Sequence, residues 1–162
     1  MHSYADRYLA LLGDQDPIEV LQVTPLRVEE LVEDLAPADY ALSYDEGKWT
    51  VREILAHLAD IEISHAFRFR QTLAESEPVL QPFDQDRWAQ RYRRADPALA
   101  LSTLRAVRSW NLALLATLDL DGWLKEAFHA EHGMISLDLM VRVLAGHDLN
   151  HLVQIERIAG QR

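Results

Sequence analysis

His147 and His151 stand four residues apart. On a helix that spacing puts both side chains on one face, one turn apart. The apolar stripe Leu137, Met140, Leu144, Ile155 includes that face, so both imidazoles are expected to point inward. A buried polar group left without a partner costs about 1–3 kcal/mol, and one metal ion would satisfy both rings. Imidazole nitrogen suits zinc, nickel, iron and copper. A His-x-x-x-His pair alone is a weak signal. His57 adds a third imidazole from a distant stretch, set among Ile54, Leu58 and Ile61. Facing helices of a bundle can supply ligands to a shared centre. Three neutral histidines leave positions open for water or substrate, and a metal there lowers the pKa of bound water to about 7. The same spacing fits core histidines bonded to a backbone carbonyl or a carboxylate. The residues alone leave both readings open.

Other side chains could assist. Gln154 lies three residues past His151 on the same face, within reach of a metal-bound water or a substrate, or simply on the helix surface. Asp60 and Asp148 could orient a ligating imidazole or be solvated acids. His65 is an alternative ligand or a packing residue. His129 and His132, with Glu131 and Gly133, fall in an expected loop and could edge a pocket. Arg68 or Arg142 could receive an anionic substrate. The chain has no cysteine, which excludes a disulfide framework, a thiolate site and a cysteine nucleophile. Glu62-x-x-His65 has the spacing of a carboxylate-bridged di-iron motif, but such a site needs that motif on each of two helices together with two further glutamates, and the expected long helices carry it once. There is no phosphate-cradling glycine loop, serine elbow or His-Glu-x-x-His motif.

Long helices must position these residues. Asp16-Pro17 starts the first region, running to about Leu35, with Thr24-Pro25 splitting or kinking it. Thr50-Val51-Arg52-Glu53 reads as a capping box for a second helix ending near Ala74. Asp84 caps a short helix carrying Trp88. Asp96-Pro97 starts a third long helix, ending before Asp121-Gly122, and Ser136 starts a fourth, ending at Ala159. No period-two run bounded by hairpin residues stands out. The expected class is all-α: a four-helix bundle with an additional short helix between the second and third long helices.

The 162 residues suit a single domain, 1–162. No apolar run approaches the ~20 residues that cross a bilayer, and the first residues lack signal-peptide features, so the expected compartment is the cytoplasm. The formal net charge is −10. The arginines at 87, 91, 93 and 94 read as a solvated face, and no nucleic-acid partner is expected.

Two segments carry a family resemblance. Gly47-Lys48-Trp49-Thr50-Val51-Arg52-Glu53-Ile54-Leu55-Ala56-His57-Leu58-Ala59-Asp60 and Ala145-Gly146-His147-Asp148-Leu149-Asn150-His151-Leu152-Val153-Gln154-Ile155 resemble the motifs of the DinB/YfiT-like superfamily. Arg68-Phe69-Arg70, Pro82-Phe83-Asp84 and Trp88 between them strengthen it, so that it spans roughly residues 16–158. The resemblance implies a four-helix bundle, often a homodimer, with one divalent metal, zinc or nickel, held by His57, His147 and His151. It implies a small-molecule substrate and either a low-molecular-weight thiol activated for S-transfer to an electrophile, or metal-dependent hydrolysis. A non-catalytic bundle that binds metal or a small ligand is the remaining alternative.

Overall fold

The computed structural model describes residues 4–161; the outermost residues of the expected domain, His2 among them, lie outside the described residues. The helices are α1 (Tyr4–Leu12), α2 (Pro17–Val32), α3 (Val51–Ala74), α4 (Gln85–Ala89), α5 (Pro97–Leu115), α6 (Leu120–Leu124) and α7 (Leu137–Ala159). The long α2, α3, α5 and α7 form a four-helix bundle, and α4 is the short helix expected between the second and third of them. No described helix is long and apolar enough to cross a membrane.

Side-chain caps set the helix starts. Asp16 accepts from the amides of Ile18 and Glu19 at 2.7 and 3.3 Å. Thr50 and Glu53 form the capping box, the Thr50 amide donating to Glu53 at 2.8 Å and the Glu53 amide to the Thr50 hydroxyl at 3.3 Å. Asp84, Asp96 and Ser136 cap α4, α5 and α7. Each cap satisfies amides that the first helical turn leaves without a partner.

Pro25 does not split α2, which continues through it. Proline has no N–H, so the carbonyl four residues earlier, on Leu21, loses its helical donor. Arg108 of α5 supplies the missing bond, its Nη1 donating to the Leu21 oxygen at 2.8 Å. This repair from another helix is what lets a proline sit in the middle of a buried helix face.

Three features depart from the sequence expectation. α1 is an additional helix, and it packs on α7 through Tyr8 and Leu12. A separate short helix, α6, follows the third long helix, which ends at Leu115, before Asp121-Gly122; Asp119 caps α6 by accepting from the Gly122 amide. Strands also exist: β1 (Val79–Leu80) pairs in parallel with β2 (Glu126–His129), which pairs antiparallel with β3 (Gly133–Ser136). Runs of two to four residues are too short to show alternation. Gly133, at φ +74°, turns the chain between β2 and β3.

Two apolar clusters fill the bundle. Val28, Ile54, Leu55, Leu58, Leu104 and Ile155 centre one; Leu21, Ile61, Phe69, Leu137, Met140 and Leu144 centre the other. His57 falls between Leu55 of the first cluster and Ile61 of the second along α3. His147 and His151 fall between Leu144 and Leu152 along α7. The polar layer that matters therefore lies where the two cores meet.

Gly146 is where α1 touches α7. A Cβ there would stand 2.0 Å from the Tyr8 carbonyl oxygen. Gly146→Ala must push the two backbones apart. Overpacking of this kind costs about 1–3 kcal/mol, so Tm should fall by roughly 3–10 °C. Calorimetry showing an unchanged Tm would contradict the close approach.

Candidate metal centre

Three ring nitrogens meet at one point. His57 Nε2 lies 2.8 Å from His147 Nε2, and His151 Nε2 lies 3.2 Å from the same atom. The three rings are nearly fully buried. Their positions follow from local rules: the capping box fixes the register of α3, and the four-residue step along α7 stacks His147 beneath His151. Trp49, just before the cap, covers the centre, its ring 4.6 Å from His57 and 6.1 Å from His151, lying nearly parallel to the latter. Tyr8 meets His147 edge-on at 5.4 Å.

The opposite ring nitrogens decide which atoms can bind a cation. His151 Nδ1 lies 2.9 Å from the Gln154 Oε1, so Nδ1 carries the proton and donates, and Nε2 is a lone pair. His147 Nδ1 lies 3.9 Å from the Asp148 Oδ1, beyond hydrogen-bond distance; the negative charge of that carboxylate, rather than a bond to it, favours the proton on Nδ1. Only His57 can then bring a proton to the meeting point, and it can bond to one neighbour alone. The remaining lone pairs face one another. A divalent cation satisfies all three. Nitrogens around a tetrahedral zinc, at about 2.0–2.1 Å from the ion, lie about 3.3 Å apart, close to the spacing found. The donor set therefore fits a divalent transition-metal cation.

Electrostatics agree. Burial, followed by the neighbouring His147 and His151, pushes the His57 pKa far below its ordinary 6.5. Burial and His147 push His151 down to about 3. Both rings are neutral at physiological pH, the state in which imidazole ligates a metal.

Behind His147 runs a buried ionic network. Arg108 bonds Glu62 at 2.7 Å and Asp148 at 2.8 Å, and Asn111 Nδ2 donates to Glu62 at 2.7 Å. All four side chains are almost wholly inaccessible. Burial alone would raise the Asp148 carboxyl, but the Arg108 guanidinium overrides it and holds the group below its ordinary value. Arg70 joins the network through Asn111, its Nη1 donating to the Asn111 Oδ1 at 2.8 Å, so two guanidiniums meet two carboxylates; the Asp148 carboxylate, with Oδ1 3.9 Å from His147 Nδ1, is the member that favours a cation among the imidazoles. Asp148 Oδ1 and His147 Nδ1, both buried, have no hydrogen-bond partner elsewhere.

The structure brings together His57, His147 and His151 as expected. Gln154 places its side-chain oxygen 2.9 Å from His151 Nδ1, where it orients that ring. Asp60 lies beside Tyr92 and, after burial, helps push that phenol above its usual range. Glu62 belongs to the Arg108 network. Arg142 pairs with Asp138 at 2.9 Å. His65, Arg68, His129 and His132 share a cavity with His147, of about 130 Å³, whose remaining wall is mainly apolar, with Ile61, Phe83, Ile135, Met140, Val143 and Leu144. His129, Glu131 and His132 have donor atoms within 4.8 Å of one another, but the Glu131 amide already donates to His129 Nδ1 at 3.2 Å. Arg108, Trp49 and Tyr8 were missed as site residues. The spacing Leu104, Arg108, Asn111, Leu115 could have flagged Arg108, because it puts two polar residues in a core stripe.

Fold and site together define a helical bundle with a buried three-histidine centre between its second and fourth long helices. The profile of the DinB superfamily matches residues 21–155, and the chain belongs to that family. YfiT of Bacillus subtilis is 28% identical over 145 residues, covering 88% of this chain and 82% of YfiT. OB0782 of Oceanobacillus iheyensis is 29% identical over 146 residues, covering 90% of this chain and 85% of its own. Both are named provisionally as metal-dependent hydrolases. The solved YfiT structure, described as "a probable metal-dependent hydrolase with an unusual four-helix bundle topology", superposes with a TM-score of 0.83 at 27% identity, covering 90% of this chain and 85% of that one. A mycothiol-dependent maleylpyruvate isomerase shares the fold, with a TM-score of 0.62 at 16% identity, over 96% of this chain and 63% of its own.

The neutral histidines give the metal-free protein an acid limb. His57, His65 and His151 have folded pKa values below the ordinary 6.5, His65 and His151 at about 3. Below pH 6.5 the unfolded chain binds more protons than the folded one. Their contribution is therefore complete above pH 6.5 and is lost as pH falls toward about 3. Metal-free protein should show a lower urea midpoint at pH 5.0 than at pH 7.5. A midpoint that rises on acidification would contradict burial of neutral rings.

Proposed function

We propose that this chain is a divalent-metal-dependent enzyme with one ion held by His57, His147 and His151, acting on a low-molecular-weight thiol for S-transfer to a small electrophile. The observation that carries the reading is the convergence of three Nε2 atoms, those of His57 and His151 lying 2.8 and 3.2 Å from that of His147. When bound, the cation lowers the pKa of a coordinated thiol or water and so supplies a nucleophile at neutral pH. With no cysteine in the chain, a thiol nucleophile has to come from a co-substrate.

The chain's own residues do the rest. Gln154 and Asp148 orient the His151 and His147 rings so that their Nε2 lone pairs face inward. Trp49 roofs the centre and limits water. The cavity beside His147 holds the electrophile against an apolar wall, where charge developing in the transition state is weakly screened. Hydrolysis is the second reading. It is favoured by the names of the YfiT and OB0782 relatives, and it needs no thiol. A homodimer in the cytoplasm completes the proposal.

Protein purified without a histidine tag should carry about one zinc or nickel per chain by elemental analysis, and His147→Ala should carry less than about a tenth of that. Loaded protein incubated with a panel of small thiols and electrophiles should form thioether or isomerised product only when thiol is present. Turnover that needs no thiol selects hydrolysis. Absence of stoichiometric metal from the unaltered protein would overturn both readings.

A further inference from the structure

The cavity beside His147 has a second polar wall that the metal centre does not use. His65, on α3, is tied by its Nδ1, which donates to the Ile61 carbonyl at 2.9 Å. A carbonyl only accepts, so the ring's proton is on Nδ1 and its Nε2 is an acceptor. His129, at the end of β2, is fixed in the opposite tautomer: the Glu131 amide donates to Nδ1 at 3.2 Å, so Nε2 carries the proton and donates. Both rings stay neutral, burial and then the charge of Arg68 holding them below the ordinary histidine range.

Arg68 stands in the same wall. Its guanidinium lies over the Phe83 ring at 5.2 Å, and its Nη2 donates to the Gln81 carbonyl at 3.0 Å. Guanidinium has five N–H donors in a planar fork that matches a carboxylate. None of the described residues lining the cavity carries a carboxylate.

We propose that this wall is a carboxylate subsite: Arg68 and His129 receive the anionic head of a small, mainly apolar carboxylic acid, whose other end lies toward His147. The proposal rests on the metal reading above only for what happens at that other end. One guanidinium and two neutral imidazoles fit a single negative charge rather than two. His65 offers an acceptor to a hydroxyl or N–H on the ligand. The cavity, about 130 Å³, is near the ~150 Å³ that encloses a benzene ring. A ring or a short branched alkyl group is therefore the expected apolar part.

Benzoate and its neutral counterpart benzamide test this by titration calorimetry. They are titrated into unaltered protein, Arg68→Gln and Arg68→Lys, each both zinc-loaded and metal-free, with folding checked by circular dichroism. Benzoate should bind at least tenfold more tightly than benzamide. Arg68→Gln should abolish that preference, and Arg68→Lys should keep part of it, which separates lost charge from lost packing. The preference should survive metal removal, because Arg68 and His129 do not belong to the three-histidine centre. Undetectable benzoate binding, equal binding of the two probes, or a preference unchanged in Arg68→Gln would overturn the subsite. So would a preference seen only with zinc, which assigns the carboxylate to the ion. Elemental analysis of the same samples keeps the two readings apart, since failure to hold metal leaves the benzoate preference untouched.

Discussion

Three imidazole nitrogens that meet at one buried point constrain everything around them. With the Nδ1 protons of His147 and His151 turned outward, the protein can bring at most one proton to that point. The lone pairs this leaves have no further protein donor. Unpaired buried polar groups are costly, and the cost persists only where surrounding structure over-determines the geometry. Here it does. The rings come from two helices whose registers are set by caps at Thr50 and Ser136, and they are held between two apolar clusters that pack on either side.

Arg108 ties that centre to the rest of the bundle. It reaches from α5 to the Leu21 carbonyl that Pro25 leaves open on α2, to Glu62 on α3 and to Asp148 on α7. One side chain thus connects all four long helices. Removing one partner from such a buried ionic set costs about 3–5 kcal/mol, because the others stay charged without compensation. The same network leaves one carboxylate oxygen facing His147. A proline in one helix and the three-histidine cluster in others are linked through a single guanidinium, which explains why an ionic group occupies a place where packing alone would favour leucine.

Much of this was legible in the sequence. The capped starts at Asp16, Thr50, Asp96 and Ser136 are local signals, and local signals survive folding. The three histidines were legible as a group because spacing and apolar context place their side chains on inward faces. The rest depends on tertiary contact. Helix α1 has little of its own to announce it beyond a short amphipathic run, and its place is set by the close approach of Tyr8 to Gly146. The strands are too short to alternate visibly and exist because β1, β2 and β3 find one another. Arg108 looks like a surface residue until its partners arrive from other helices. Spacing puts Gln154 on the face of His151, but its contact with the Nδ1 side of that ring is a matter of rotamer, which helical spacing does not give.

Function follows from which side of the centre is open. Trp49 and Tyr8 close two sides, and the apolar cavity adjoins His147 on another, so small molecules rather than polymers suit the site. X-ray absorption at the metal edge of loaded, untagged protein tests the central claim most directly. The account predicts three imidazole nitrogens at about 2.0–2.1 Å, with the remaining light-atom ligand exchangeable by an added thiol. A shell of oxygen ligands lacking imidazole scattering would contradict it.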